Sequence, residues 1–185
     1  MPRKWTRFEH RDVTGFGTVE NDVVTVWTGE IFGHPVRGAD TLPLAEVKVL
    51  APCRPGKLIG LWNNFHARAA KEGLSRPAHP LYFIKADNCY AAHRAVIRRP
   101  ASYPGPVVFE GELGVVIGRH CRGVSVEDVE PYIFGYTCVN DVTARQVLKS
   151  DPSFVQWSRA KSFDTFGPFG PWIVSGIEPD ALTVR

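Results

Sequence analysis

The chain has 185 residues, 44% of them hydrophobic and 22% charged, which is the composition of one ordinary globular unit with a sizeable core. Its 22 basic and 19 acidic residues are interspersed and leave a formal charge of +3, which argues against a nucleic-acid-binding face. No apolar run approaches the ~20 residues of a membrane span, and no signal-peptide core opens the chain. Cys53, Cys89, Cys121 and Cys138 form no C-x-x-C pair, which predicts reduced thiols in a cytoplasm rather than a disulfide scaffold or zinc knuckle.

Pro2-Arg-Lys-Trp-Thr-Arg7 is a short basic run, read as a solvated terminus. Residues 4 to about 50 alternate apolar stretches such as Val23-Val-Thr-Val-Trp27 with turn pairs such as Asn21-Asp22, which predicts a small β-meander over 1–54. Cys53-Arg-Pro-Gly56 marks a boundary, and residues 55–185 form the second unit. Lys57–Leu61 and Leu81–Ile84 read as strands, with a short helix between Phe65 and Leu74 that is rich in alanine and ends near Gly73. Pro100, Pro104 and Pro106 make a rigid loop. Ser125–Glu130 carries an N-cap followed by acids, the pattern of a helix start. Ile133–Val139 is strand-like, Thr143–Lys149 reads as helical, and Gly167-Pro-Phe-Gly-Pro171 is a stiff turn before a strand at Trp172–Val174. The fold class is mainly β with short helices, α+β overall.

The stretch Val107–Gly118, VVFEGELGVVIG, reads as a buried strand, yet it carries two carboxylates two positions apart. Side chains alternate along a strand, so Phe109, Leu113, Val115 and Ile117 share one face, and Glu110 and Glu112 share the other, ~7 Å apart. Two like charges this close repel unless a cation lies between them. Gly111 and Gly114 leave room for a ligand or mark a bulge. A salt-bridged surface face is the competing reading. Asn140-Asp141 breaks the next strand and presents a third acid at its end, with Arg145 one helical turn on and Lys161 further along. Carboxylates suit hard cations such as Mg²⁺ or Mn²⁺.

In order and spacing, the segments KLIGLWNNFH, PLYFIKADN, FEGELGVVIG, GYTCVNDVTAR and RAKSFDTFGPFGPW resemble the fumarylacetoacetate hydrolase family over roughly residues 57–177. The branch resembled holds bacterial 2-hydroxyhepta-2,4-diene-1,7-dioate isomerases and acylpyruvate hydrolases. The resemblance implies a mixed β-roll, a homodimer, and a divalent ion (Mg²⁺ or Mn²⁺) on Glu110, Glu112 and Asp141. It implies a small keto-acid substrate and a role in aromatic-compound catabolism. His66 resembles the general base, Lys161 the lysine that stabilises a developing enolate, Arg145 the substrate-carboxylate partner, and Lys85 a further lysine near the site. Two departures stand out. The glutamate that pairs with the histidine in many members is Ala69 here, with Glu72 as a geometrically different substitute. The family also continues with strands past the end of this chain, so the chain reads as lacking the C-terminal half.

The expected function is metal-dependent C–C hydrolysis of an acylpyruvate. Isomerisation or decarboxylation at the same metal site is the alternative, followed by a non-catalytic metal-binding subunit. His10, His34, His79, His93 and His120 form no metal-type cluster by spacing. There is no phosphate loop and no G-x-S-x-G elbow. Trp157 is read as core packing and Cys138 as a buried strand thiol.

Overall fold

The computed structural model describes residues 1–183. β1 (Arg3–His10), β2 (Val13–Glu20), β3 (Val23–Thr28) and β4 (Val36–Pro43) pair successively as the expected meander. Arg11-Asp12 and Asn21-Asp22 all take positive φ, the turn geometry whose twist suits two-residue hairpins. β5 (Lys48–Leu50) then returns beside β1. β6 (Leu58–Trp62) and β7 (Leu81–Lys85) form a separate antiparallel ribbon, with α1 (His66–Lys71) in the connection between them.

Two short pairings follow. β8 (Tyr90–Ala91) pairs in parallel with β13 (Gly167–Pro168), and β9 (Val107–Val108) pairs with β12 (Thr143–Ala144). β10 (Gly111–Ile117) and β11 (Ile133–Asn140) are antiparallel neighbours. α2 (Arg145–Leu148) and α3 (Trp157–Lys161) are short, and β14 (Ile173–Ser175) follows.

The main sheet has eight strands in the order β10-β11-β14-β1-β2-β3-β4, with β5 also on β1. The opening basic run is therefore not a solvated terminus. It is β1, bonded to β14 on one side and β2 on the other, with Trp5 and Thr6 buried. Its charges lie outside the core, and Arg7 Nη1 donates to the Ala51 carbonyl at 3.0 Å. Trp5, Cys53, Phe169 and Ile173 form one core; Cys89, Tyr103, Val142, Ala144 and Phe166 form a second.

Several local expectations differ from the structure, among them Thr143–Lys149, where Thr143–Ala144 is a strand and only Arg145–Leu148 is helical. Val107–Gly118 is two strands, not one. The chain leaves the ladder at Phe109-Glu110, so β9 and β10 pair with different partners. The apolar face also points outward: Phe109 is 79% exposed and Val115 51%. The inward face is the one bearing Glu112, Gly114 and Val116, because Val116 packs on the Trp5 cluster. A Cβ on Gly114 would lie 2.7 Å from Val139 Cγ2, so this glycine serves strand packing rather than ligand space. Ser125–Glu130 is a turn, in which Ser125 Oγ accepts the Asp128 N–H at 3.3 Å, and only Glu130–Tyr132 winds into a 3₁₀ turn. Cys138, expected as a buried strand thiol, is exposed on β11.

Candidate active site

The junctions that interrupt the ladder bring the acids together. Gly111 pairs with Asn140, which sets Glu110 beside Asp141. The Asp141 N–H donates to the Glu110 carbonyl at 2.9 Å, and the Glu110 N–H donates to Asn140 Oδ1 at 3.3 Å. Glu112 lies opposite Val139, one position further into the strand pair. One carboxylate oxygen from each of Glu110, Glu112 and Asp141 lies within 4.8 Å of the other two.

Two buried lysines brace this cluster. Lys85, at the end of β7, donates to Asp141 Oδ1 at 2.6 Å and to the Val142 carbonyl at 3.3 Å. Lys161, the last residue of α3, donates to Asp141 Oδ2, to Glu110 Oε2 at 3.0 Å and to Thr143 Oγ1 at 2.8 Å. The Lys161 ammonium also sits 4.8 Å from the centre of the Phe83 ring. From α1, Arg68 Nη1 donates to Glu110 Oε1 at 3.1 Å. Glu110 and Asp141 are thus fully paired, whereas Glu112 gains no hydrogen bond among the described residues. Burial, then Asp141, then Glu110 push the Glu112 carboxyl up to about 7, against the opposing pull of Lys161 and Lys85.

The cluster forms the floor of a cleft of about 1070 Å³. Trp62, Phe83 and Trp157 line one wall, with Phe83 and Trp157 stacked at 5.5 Å. Trp157 therefore faces the cleft as well as packing. Arg145 and Lys149 line the cleft and are exposed. Lys85 does not line it: at 2% exposure it stands behind Asp141, which places it as a support for that carboxylate rather than as a substrate contact. His66 opens α1, is exposed and is also outside the lining, while Arg68 from the same helix and Glu72, which caps its C-terminus, are within it.

Sequence reasoning passed over Thr143 and Arg68. Thr143 opens β12 just after the break at Asp141, where no periodicity links the two; Arg68 gave no signal beyond the helix it lies on.

The C-terminal domain model of fumarylacetoacetate hydrolases matches residues 57–185, and an Rv2993c-like N-terminal model matches residues 3–52. The chain belongs to the fumarylacetoacetate hydrolase family. Protein Rv2993c of Mycobacterium tuberculosis is 42% identical over 148 residues, 80% of this chain and 54% of its own length. The oxaloacetate tautomerase YisK of Bacillus subtilis is 36% identical over 155 residues, 80% of this chain and 50% of its own. A crystal structure of a 2-hydroxyhepta-2,4-diene-1,7-dioate isomerase from Mycobacterium marinum superposes with a TM-score of 0.83 at 36% identity, over 96% of this chain and 68% of that one. The chain spans about half the length of the curated relatives it matches.

A divalent ion suits the fumarylacetoacetate hydrolase cluster on chemical grounds. The donors are three hard carboxylates, and one of them lacks a counter-ion. Among the described residues no other group of acids, histidines and cysteines converges in this way. No described helix is long and apolar enough to cross a membrane, which leaves β-barrel spans unaddressed.

Proposed function

We propose that this chain carries the metal-binding half-site of a cytoplasmic enzyme acting on small 2-oxo acids, with proton transfer between keto and enol forms as its reaction class. The observation that carries the reading is the convergence of Glu110, Glu112 and Asp141 with Glu112 uncompensated. These three would hold Mg²⁺ or Mn²⁺. A bound ion supplies Lewis acidity toward the 2-oxo and carboxylate oxygens of the substrate. Lys161 and Lys85 pair with Asp141 and orient it, and Lys161 does the same for Glu110. Lys161 spends its three donors on these acceptors and Thr143, so its proposed part is to hold the acids rather than to meet developing charge on substrate.

Arg145 and Lys149 offer the cations that a substrate carboxylate would meet on the cleft wall. Trp62, Phe83 and Trp157 would cover an apolar or conjugated chain and exclude water. His66 is the proposed proton carrier. What supports it is its seat on α1, whose Arg68 reaches the acid cluster.

Isomerisation or tautomerisation is favoured over hydrolysis by Ala69, which removes the histidine's usual acidic partner for activating water. Acylpyruvate hydrolysis is the second reading, since Glu72 caps the same helix and lines the cleft. A homodimer is part of the proposal. The exposed Val115 and Ile117 of β10 and Ile59 and Ile84 of the ribbon would give it apolar surface.

The test is calorimetric titration of Mg²⁺ and Mn²⁺ with and without oxalate, on the wild type and Glu112→Ala. Metal-dependent oxalate binding that the variant loses supports the site. Absent metal binding by folded wild type refutes it. Enol absorbance of oxaloacetate and pyruvate release from acylpyruvates then separate the two readings.

A further inference from the structure

Arg68 and Glu110 are the point of contact between α1 and the acid cluster. The helix has six residues, none of them buried, and its N-cap residue Phe65 makes no side-chain capping bond. Such an element has little packing to hold it in place. The Arg68 guanidinium bridges two acids, bonding Glu72 Oε1 at 3.0 Å at the C-cap of its own helix and Glu110 Oε1 at 3.1 Å in the acid cluster. Glu72 lies at i+4 and so aims the guanidinium before it reaches Glu110. The Arg68 side chain is 61% exposed, which makes the bond to Glu110 a solvent-screened one.

Glu110 Oε2 is held by the buried Lys161, which leaves Oε1 as the oxygen open to exchange. A divalent ion offers that oxygen twice the charge of a guanidinium at ~2.1 Å. Two cations cannot use one carboxylate oxygen equally well, and the exposed pair is the weaker.

We propose that Arg68 is the resident counter-ion of Glu110, displaced when a divalent ion binds, so that loading the site frees α1 from the acid cluster. The inference rests on the metal reading of the preceding subsection. By linkage, helix docking and metal binding oppose one another to the same extent in both directions. Arg68 is thus a positioning residue: it sets metal affinity and the freedom of the helix that carries His66.

The experiment titrates Mg²⁺ into the wild type and Arg68→Gln by calorimetry, and follows short-time hydrogen exchange of residues 66–74 with and without Mg²⁺. Arg68 is exposed, so the variant keeps the fold. Arg68→Gln binding Mg²⁺ two- to fivefold more tightly, with exchange in α1 that Mg²⁺ accelerates in the wild type and leaves unchanged in the variant, establishes the handover. Mg²⁺ binding by the wild type with equal or weaker affinity in the variant overturns it, and so does wild-type α1 exchange that ignores Mg²⁺. Both results leave the metal site itself standing. Absence of Mg²⁺ binding in both proteins refutes the metal reading and this inference together.

Discussion

Glu110 and Asp141 are tied to each other twice. The Asp141 amide donates to the Glu110 carbonyl at 2.9 Å, and the Lys161 ammonium donates to a carboxylate oxygen of each. Backbone register places the two acids, and a buried cation keeps them there.

Lys85→Met should destabilise the protein by about 3 kcal/mol, because Asp141 loses one of its two buried partners while staying buried itself. Adding Asp141→Asn should recover part of that loss, since the buried carboxylate left with Lys161 as its one remaining cation is then gone. Urea unfolding of both variants measures it.

Glu112→Gln should stabilise the ion-free protein at neutral pH. The Glu112 carboxyl lies at about 7 in the fold against an ordinary 4.5. Above pH 4.5 the unfolded chain gives up this proton while the folded chain keeps it, so stability falls as pH rises, until the folded group also ionises near 7. With allowance for its partial solvent contact, the decline is on the order of 1–2 kcal/mol. Melting temperature against pH should slope in the wild type across this window and flatten in the variant.

Asn140→Ala removes the acceptor for the Glu110 N–H. The expected loss is about 1 kcal/mol of stability together with weaker Mg²⁺ binding, because Glu110 is then less firmly placed. A variant with lower melting temperature and undiminished Mg²⁺ affinity would show that this bond supports the strand and not the site.

Arg145→Ala should weaken oxalate binding to the metal-loaded protein by about tenfold, as expected for loss of one charge-assisted contact. Mg²⁺ affinity should hardly change, because Arg145 makes no side-chain bond to the three acids among the described residues. Calorimetry in the two orders of addition separates these effects.

The four thiols should divide into two pairs. Cys121 and Cys138 are exposed and should react quickly with a thiol reagent. Cys53 and Cys89 are buried, and burial raises each to about 11, so both should react only on unfolding. Above pH 9 the unfolded chain ionises these thiols before the folded one does, so stability should also decline from there toward pH 11.

Some of the site was legible in residue order. Glu110 and Glu112 sit two apart and bring carboxylate oxygens to one cluster even though the chain leaves the ladder at Phe109-Glu110, and Asn140-Asp141 ends its strand as the turn-favouring pair suggests. The β-rich class and the meander followed from alternation and turn residues. Apolar content alone does not identify the inward face of β10. Val115 and Ile117 are more apolar as a set, yet the sheet buries the face with Val116.

Sequence by itself determined the residue types, their periodicity and the places where the chain must turn, because these depend on backbone sterics and near neighbours. Tertiary structure decided which charges meet. Lys85 reaches Asp141 across 56 positions, Lys161 reaches Glu110 across 51, and Arg68 reaches Glu110 across 42. Local pattern carries no information about pairings at such separations. Glu112 is perturbed for the same reason. Its proton is held by burial and by acids that only the folded sheet brings within reach.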